Sequence, residues 1–114
     1  MTEIDQSAID NLLTSVGGDT AFVSDLIGEY FTDTRIQFGN MQQALDAGDV
    51  DSFRRAAHSL KSNSANFGAT QLAALCRHLE DLAKANNLSD ASDILHEAQA
   101  EYEQVEIALK AYRG

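Results

Sequence analysis

The chain has 114 residues, of which 44% are hydrophobic and 23% charged, values typical of a soluble globular protein with one domain. We therefore expect a single domain over residues 1–114. Its 18 acidic and 8 basic residues give a formal net charge of −10, which makes nucleic acid and anionic membrane surfaces unfavourable partners. The single cysteine excludes an internal disulfide, and neither a membrane-length apolar run nor a signal-peptide pattern is present. We expect a cytoplasmic monomer.

Helix-forming residues dominate the chain. Its 17 alanines and 12 leucines make up a quarter of the 114 residues, and proline is absent. Glycine, asparagine and capping residues divide the chain into a short N-terminal helix and four longer ones. The predicted helices cover, in order, about 7–15, 20–47, 50–67, 71–85 and 90–112. The predicted boundary residues are Asp19, Asp49 and Thr70 as N-caps, with Gly48 and Gly68 as C-terminal stops.

Apolar residues recur at steps of three and four in these segments, as on the buried face of an amphipathic helix. The last helix has the longest such series, formed by Ala91, Leu95, Ala98, Tyr102, Val105, Leu109 and Tyr112. Steps of this kind line the seam of an antiparallel bundle or coiled coil. Because short loops make consecutive helices antiparallel neighbours, the sequence predicts an all-α fold: an antiparallel up-down four-helix bundle with an additional short N-terminal helix.

The third predicted helix has a sharply divided surface. At about 100° per residue, an apolar stripe forms within roughly 60° of Leu60. The stripe consists of Phe53, Ala56, Ala57, Leu60, Ser64 and Phe67. His58 lies roughly 160° from Leu60 and is therefore predicted to face water. An exposed imidazole is partly neutral, and so nucleophilic, at neutral pH.

Basic and small residues surround this histidine on the helical wheel. Its neighbours within roughly 60° are Arg54, Arg55, Lys61, Ser62 and Ala65. Positive charge favours the neutral, nucleophilic ring and would stabilise an anionic phosphoryl group. The small neighbours leave room for a bulky partner to approach. The alternative is a solvated helix face on which the histidine has no chemical role.

The residues from His58 onward resemble a known signature. The run HSLKSNSANFGA, residues 58–69, is similar to that of histidine-containing phosphotransfer (HPt) domains, which have a histidine, any residue, an apolar residue, a lysine, small residues and a Gly-Ala pair. Further similar stretches are 17–31, 47–49 and 72–80. The resemblance covers about residues 4–85, and it implies the helical bundle that the apolar periodicity predicts independently.

The resemblance also implies a chemical role. In HPt domains the histidine accepts a phosphoryl group from the aspartyl phosphate of a receiver domain and passes it to another receiver aspartate. His58 is accordingly the expected phosphoacceptor and Lys61 the phosphate-stabilising cation. The expected partner contacts are Arg54, Arg55, Ser62 and Ala65, of which Ser62 stands where the family commonly has glycine. Mg²⁺ is expected on the receiver, so no cofactor or metal is expected on this chain.

The sequence also allows other functions. Because the chain has no GxxxxGK[ST] or GxGxxG motif, we expect a phosphocarrier without autonomous kinase activity. The alternative is a helical docking module that binds receiver or kinase domains without carrying phosphate. Phe31 and Ile36 on the second helix are candidate apolar anchors for the partner, and burial under the N-terminal helix is the alternative.

Several polar residues outside the third helix have weaker patterns. For Glu80 and Lys84, solvent exposure is favoured over a place beside the histidine. His78 and His96 are predicted at boundary or surface positions. Cys76 follows Leu72 by four residues, so it is predicted to be a buried small hydrophobic residue and to take no part in a zinc site.

Overall fold

A computed structural model of the chain describes residues 2–112, and this range is helical throughout, with no β-strand. Its α-helices are α1 (Gln6–Ser15), α2 (Thr20–Ala47), α3 (Val50–Asn66), α4 (Thr70–Lys84) and α5 (Ala91–Lys110). A short 3₁₀ turn, Leu88–Asp90, precedes α5. The predicted all-α bundle with a short N-terminal helix is confirmed.

Local capping explains where the helices begin and end. The side chain of Asp19 accepts a hydrogen bond from the backbone N–H of Phe22 at 3.0 Å, and Asp49 accepts one from Ser52 at 3.2 Å. Gly48 ends α2 in the left-handed conformation, with φ of 69°. These three boundaries agree with the prediction because each depends on one residue and its immediate neighbours.

Several other predicted helix ends differ from the observed ones by one or two residues. Thr70 is the first residue of α4 and not its N-cap, since Ala69 occupies the capping position without a side-chain hydrogen bond. The third helix ends at Asn66, one residue early, because Phe67 is its C-cap. The last helix is shorter than predicted at both ends, and the 3₁₀ turn replaces its expected start.

The core lies between α2, α3, α4 and α5, with α3 packed mainly against α4 and α2. The predicted stripe of α3 is buried in full, and so is the α5 series from Ala91 to Leu109. Leu26, Leu45, Leu75 and Leu82 are only half-buried and lie against the edge of the core. The apolar periodicity therefore identifies the buried face of each long helix, and the neighbouring helices decide how far its edges are covered.

An aromatic cluster joins α2 to α3 and α5. Tyr30 stacks on Phe67 with ring centroids 4.7 Å apart, and its hydroxyl hydrogen-bonds Ser64 at 2.8 Å. Phe31 and Phe38 pack edge-on against Tyr102 at 6.5 and 5.9 Å. Phe31 is thus buried with Tyr102 of α5 as a ring neighbour, so of its two predicted alternatives the docking anchor is wrong and burial holds. Adjacent residues of α2 are both buried here because the helix has neighbours on two sides.

The N-terminal segment crosses the C-terminal end of α3 at Gly68. The backbone N–H of Asp5 donates to the carbonyl of Gly68 at 2.9 Å. Gly68 has φ of 75°, and a Cβ at this position would lie 2.6 Å from the carbonyl oxygen of Asp5. Glycine is therefore required both for the left-handed turn after α3 and for the close approach of the N-terminal segment.

Candidate functional site

Helix α3 holds His58 on its outer face. Phe53, Ala57 and Leu60 are fully buried on the opposite side of the helix and fix its rotation in the bundle. The imidazole side chain is 57% exposed, in agreement with the wheel. The ring is therefore accessible to a second macromolecule.

Helix α4 places a carboxylate directly against this ring. Glu80 Oε2 lies 2.7 Å from His58 Nδ1, and Glu80 Oε1 accepts a hydrogen bond of 2.6 Å from the Lys61 ammonium. Glu80 is only 2% exposed, so the predicted preference for solvent exposure is wrong. His58 and Lys61, both on α3, thus share one buried acid from α4.

The position of Glu80 follows from the apolar pattern of α4. The buried residues of that helix are Leu72, Cys76, Leu79, Glu80 and Ala83. Glu80 follows Cys76 by four residues, which places the two side chains on the same face. This spacing could have identified Glu80 as an inward-facing acid, whereas its pairing with His58 depends on how α3 and α4 pack.

Hydrogen bonds outweigh burial in setting the charge of Glu80. Burial by itself raises the pKa of this carboxyl, but hydrogen bonds from Lys61 and His58 and the nearby charges of Lys61 and Lys84 bring its pKa below the ordinary value. Glu80 is therefore ionised at neutral pH and acts only as an acceptor. It follows that Nδ1 of His58 bears the proton and that the lone pair of a neutral ring is on Nε2.

The basic residues of the site are partly neutralised by acids. Arg54 donates to Asp51 Oδ1 at 2.9 Å, and Arg55 donates to Asp51 Oδ2. These hydrogen bonds lower the pKa of Asp51. The helical wheel places the two arginines around His58 but does not reveal their pairing with Asp51. The sequence contains the signal for this pairing, because Asp51 precedes Arg54 by three residues and Arg55 by four. Lys84 lies 4.0 Å from Glu80 Oε2, so it belongs to the site and not only to the solvated surface.

Small and polar side chains occupy the rest of the face. Ser62 and Ala65, one and two turns beyond His58, are both exposed. Asn63 is half-buried and donates to Asp33 of α2 at 2.9 Å, which joins the histidine helix to α2. Ile36 is 54% exposed on α2, in contrast to Phe31.

The other candidate groups lie away from this arrangement. His78 and His96 are exposed, and His96 Nδ1 hydrogen-bonds the carbonyl of Ser92 at 2.8 Å within its own helix. Cys76 is fully buried, and burial raises the pKa of its thiol to about 12, so it is not a reactive thiolate. Within residues 2–112 no group of three or more His, Cys, Asp or Glu side chains has the arrangement of a metal site.

The comparison with known families identifies the class of this chain. The Hpt domain profile matches residues 25–108, a range that includes α3, α4 and most of α2 and α5. The chain therefore belongs to the Hpt domain family. No helix in the described part of the chain is long and apolar enough to cross a membrane.

Individual relatives agree with this assignment. Histidine-containing phosphotransfer protein 2 of Arabidopsis thaliana is 30% identical over 96 residues, which are 82% of this chain and 62% of that protein. Multistep phosphorelay regulator 1 of Schizosaccharomyces pombe is 29% identical over 79 residues, 68% of this chain and 27% of that protein. The chain thus spans less than two thirds of either relative.

A solved structure has the same fold over nearly the whole chain. The crystal structure of histidine-containing phosphotransfer protein B (HptB) from Pseudomonas aeruginosa PAO1 matches with a TM-score of 0.88 and 28% sequence identity. The match covers 96% of this chain and 93% of HptB. The arrangement of helices that carries His58 is therefore shared with a histidine-containing phosphotransfer protein.

Proposed function

We propose that this chain is a phosphorelay intermediate in which His58 accepts a phosphoryl group from the aspartyl phosphate of one receiver domain and passes it to the aspartate of another. The observation that carries the proposal is the contact between the exposed His58 ring and the buried carboxylate of Glu80, with 2.7 Å between Nδ1 and Oε2. This contact leaves Nε2 as the outward, nucleophilic nitrogen. Membership in the Hpt domain family supports the same reaction.

Each residue of the site has a separate task in this reaction. The Nε2 lone pair of His58 attacks phosphorus in line with the leaving aspartyl oxygen. Lys61, anchored 2.6 Å from Glu80, supplies positive charge beside the incoming group, and the exposed Lys84 adds a second cation. Glu80 orients the imidazole, as the carboxylate of a catalytic triad orients its histidine. The chain supplies a positioned imidazole and is a phosphocarrier without autonomous kinase activity.

The proposed partner surface lies around His58. Receiver domains have acidic phosphorylation sites, so the guanidinium groups of the half-buried Arg54 and the exposed Arg55 complement them once the partner competes with Asp51. Ser62 and Ala65 present little bulk to an approaching domain. The Mg²⁺ that phosphoryl transfer requires is assigned to the receiver, and no cofactor to this chain. We propose that the chain acts as a cytoplasmic monomer with transient contacts to its partners.

Label transfer tests the proposed function. The purified chain is incubated with a receiver domain labelled on its aspartyl phosphate, and the label on the chain is followed with time. We expect acid-labile label on the native chain, at least 100-fold less on His58→Gln, and native transfer to His78→Gln, an exposed histidine on α4. Equal labelling of His58→Gln contradicts the proposal. A native chain that binds the receiver but takes no label supports the docking-module alternative.

A further inference from the structure

The two ring nitrogens of His58 have different surroundings. Nδ1 contacts the buried carboxylate of Glu80, whereas Nε2 is at the other end of a ring that is 57% exposed. Glu80 is held from a second side by Lys61 at 2.6 Å, so it does not depend on His58 alone for its position. Lys61 therefore gives the carboxylate an anchor that a reaction at Nε2 does not remove.

The proton on Nδ1 decides what kind of product the reaction forms. When the Nε2 lone pair forms the N–P bond, the P–O bond of the donor breaks and its electron pair leaves with the aspartate oxygen. The ring keeps its Nδ1 proton and becomes a phosphoimidazolium. In the second transfer the N–P electron pair returns to Nε2, and the ring leaves phosphorus as neutral imidazole, with no proton gained or lost.

The remaining charges of the site oppose this cationic product. Arg54 and Lys61 on α3 and Lys84 on α4 all place positive charge near the ring, although Arg54 is bonded to Asp51. On the α2 side, Asp33 is occupied by Asn63. A proton on Nδ1 therefore needs a negative partner in direct contact, and Glu80 supplies one from a nearly water-free position, where screening is weak.

We propose that Glu80 keeps Nδ1 of His58 protonated after phosphorylation, so that the chain carries its phosphoryl group as a phosphoimidazolium at neutral pH. The proposal rests on the proposed function of His58. Glu80 is then a positioning residue that acts through the imidazole ring of His58. It keeps the N–P bond ready to break toward the next receiver, because a neutral imidazole is a far better leaving group than its anion.

The pH dependence of phosphate release tests this proposal without any receiver. The chain is phosphorylated with phosphoramidate, a small-molecule phosphodonor, and phosphate release is followed by ³¹P NMR between pH 4 and 10. Glu80→Gln keeps a hydrogen-bond acceptor for Nδ1 but removes the charge. We expect release to fall from its acid plateau at a pH about 1 unit lower in Glu80→Gln than in the native chain.

Controls separate a local effect from a change in net charge or in folding. Glu103→Gln, an exposed acid on α5, makes the same change in net charge and is expected to keep the native profile. Helical circular dichroism checks that Glu80→Gln is folded. Coinciding profiles for the native chain and Glu80→Gln overturn the inference and leave the proposed function intact. A native chain that takes up no phosphoryl group overturns both.

A second measurement requires only the native chain. The ¹⁵N chemical shifts of the phosphorylated ring, identified by its coupling to phosphorus, report whether Nδ1 is protonated. We expect Nδ1 to stay protonated about 1 pH unit above the point at which free phosphohistidine loses this proton. Loss of the proton at the same pH as in free phosphohistidine contradicts the proposal even if Glu80→Gln does not fold.

Discussion

The α2–α5 and α3–α4 contacts of this bundle differ in what they bury. Between α2 and α5, the buried groups are aromatic rings, and the ion pair of Arg35 and Glu106 lies at the surface. Between α3 and α4, a carboxylate is buried at the edge of an otherwise apolar contact. One contact contributes to stability by excluding water, and the other gives up part of that gain to hold a charge beside an exposed histidine.

Within this one domain, the α2–α5 contact therefore serves stability, whereas the α3–α4 contact also positions the groups around His58. A buried acid is costly unless it is paired and hydrogen-bonded, and Glu80 meets that condition through Lys61 and His58. Both partners lie on α3, so the site becomes complete only when α3 and α4 pack together. The aromatic contact has no such link to His58, and substitutions there are expected to act on folding alone.

The largest expected effect is the loss of an aromatic ring from the α2–α5 contact. Phe38→Ala removes a buried ring that packs 5.9 Å from Tyr102 and should lower the free energy of unfolding by about 3–5 kcal/mol. Transfer by the folded fraction should be unchanged. Urea unfolding and label transfer below the unfolding transition measure the two quantities. A transfer rate that falls in proportion to stability would show that the two contacts are not independent.

The sequence predicted those features that depend on a single helix. Both ends of α2 are determined by Asp19 and Gly48, and the exposure of His58 follows from the stripe on α3. Ala69 shows the limit of such prediction, because no side-chain hydrogen bond defines the start of α4. Local capping and periodicity therefore fixed the element order of the fold and the outward direction of the histidine.

The composition of the site was harder to predict because it depends on two helices. Glu80 could be recognised as inward-facing from its spacing to Cys76, but its contact with His58 depends on the packing of α3 against α4. The pairing of Asp51 with Arg54 and Arg55 is local and was within reach of the sequence. The roles of Lys61, Ser62 and Ala65 toward a partner remain predictions.

Removing the ammonium group of Lys61 should have the next largest effect, which is on the rate of phosphoryl transfer. Lys61→Ala is expected to slow transfer about tenfold, since a charge that is partly exposed stabilises the phosphoryl group less than a fully buried one. Lys61→Arg should restore most of the rate. Lys110→Ala, at the exposed end of α5, is the matched control for the loss of one positive charge. Transfer at the native rate by Lys61→Ala would remove this residue from the mechanism.

The smallest expected effect is the pH dependence that Glu80 gives to stability. Its pKa is lower in the folded chain than the ordinary value of 4.5, so the stabilisation is fully present above pH 4.5 and is lost as the pH falls through the folded pKa. The difference in unfolding free energy between the native chain and Glu80→Gln, measured by urea unfolding, should therefore shrink as the pH falls from 6 to 3.

Asp51 provides the contrast for this measurement. Its pKa is also lowered, first by hydrogen bonds from Arg54 and Arg55, but this carboxylate is exposed. In about 1 M salt, the pH-dependent difference in unfolding free energy between the native chain and Asp51→Asn should largely disappear. The corresponding difference between the native chain and Glu80→Gln should persist. If salt reduced both differences equally, Glu80 would be as well solvated as Asp51 in solution. The α3–α4 contact would then not shield its carboxylate from solvent more than the surrounding surface does.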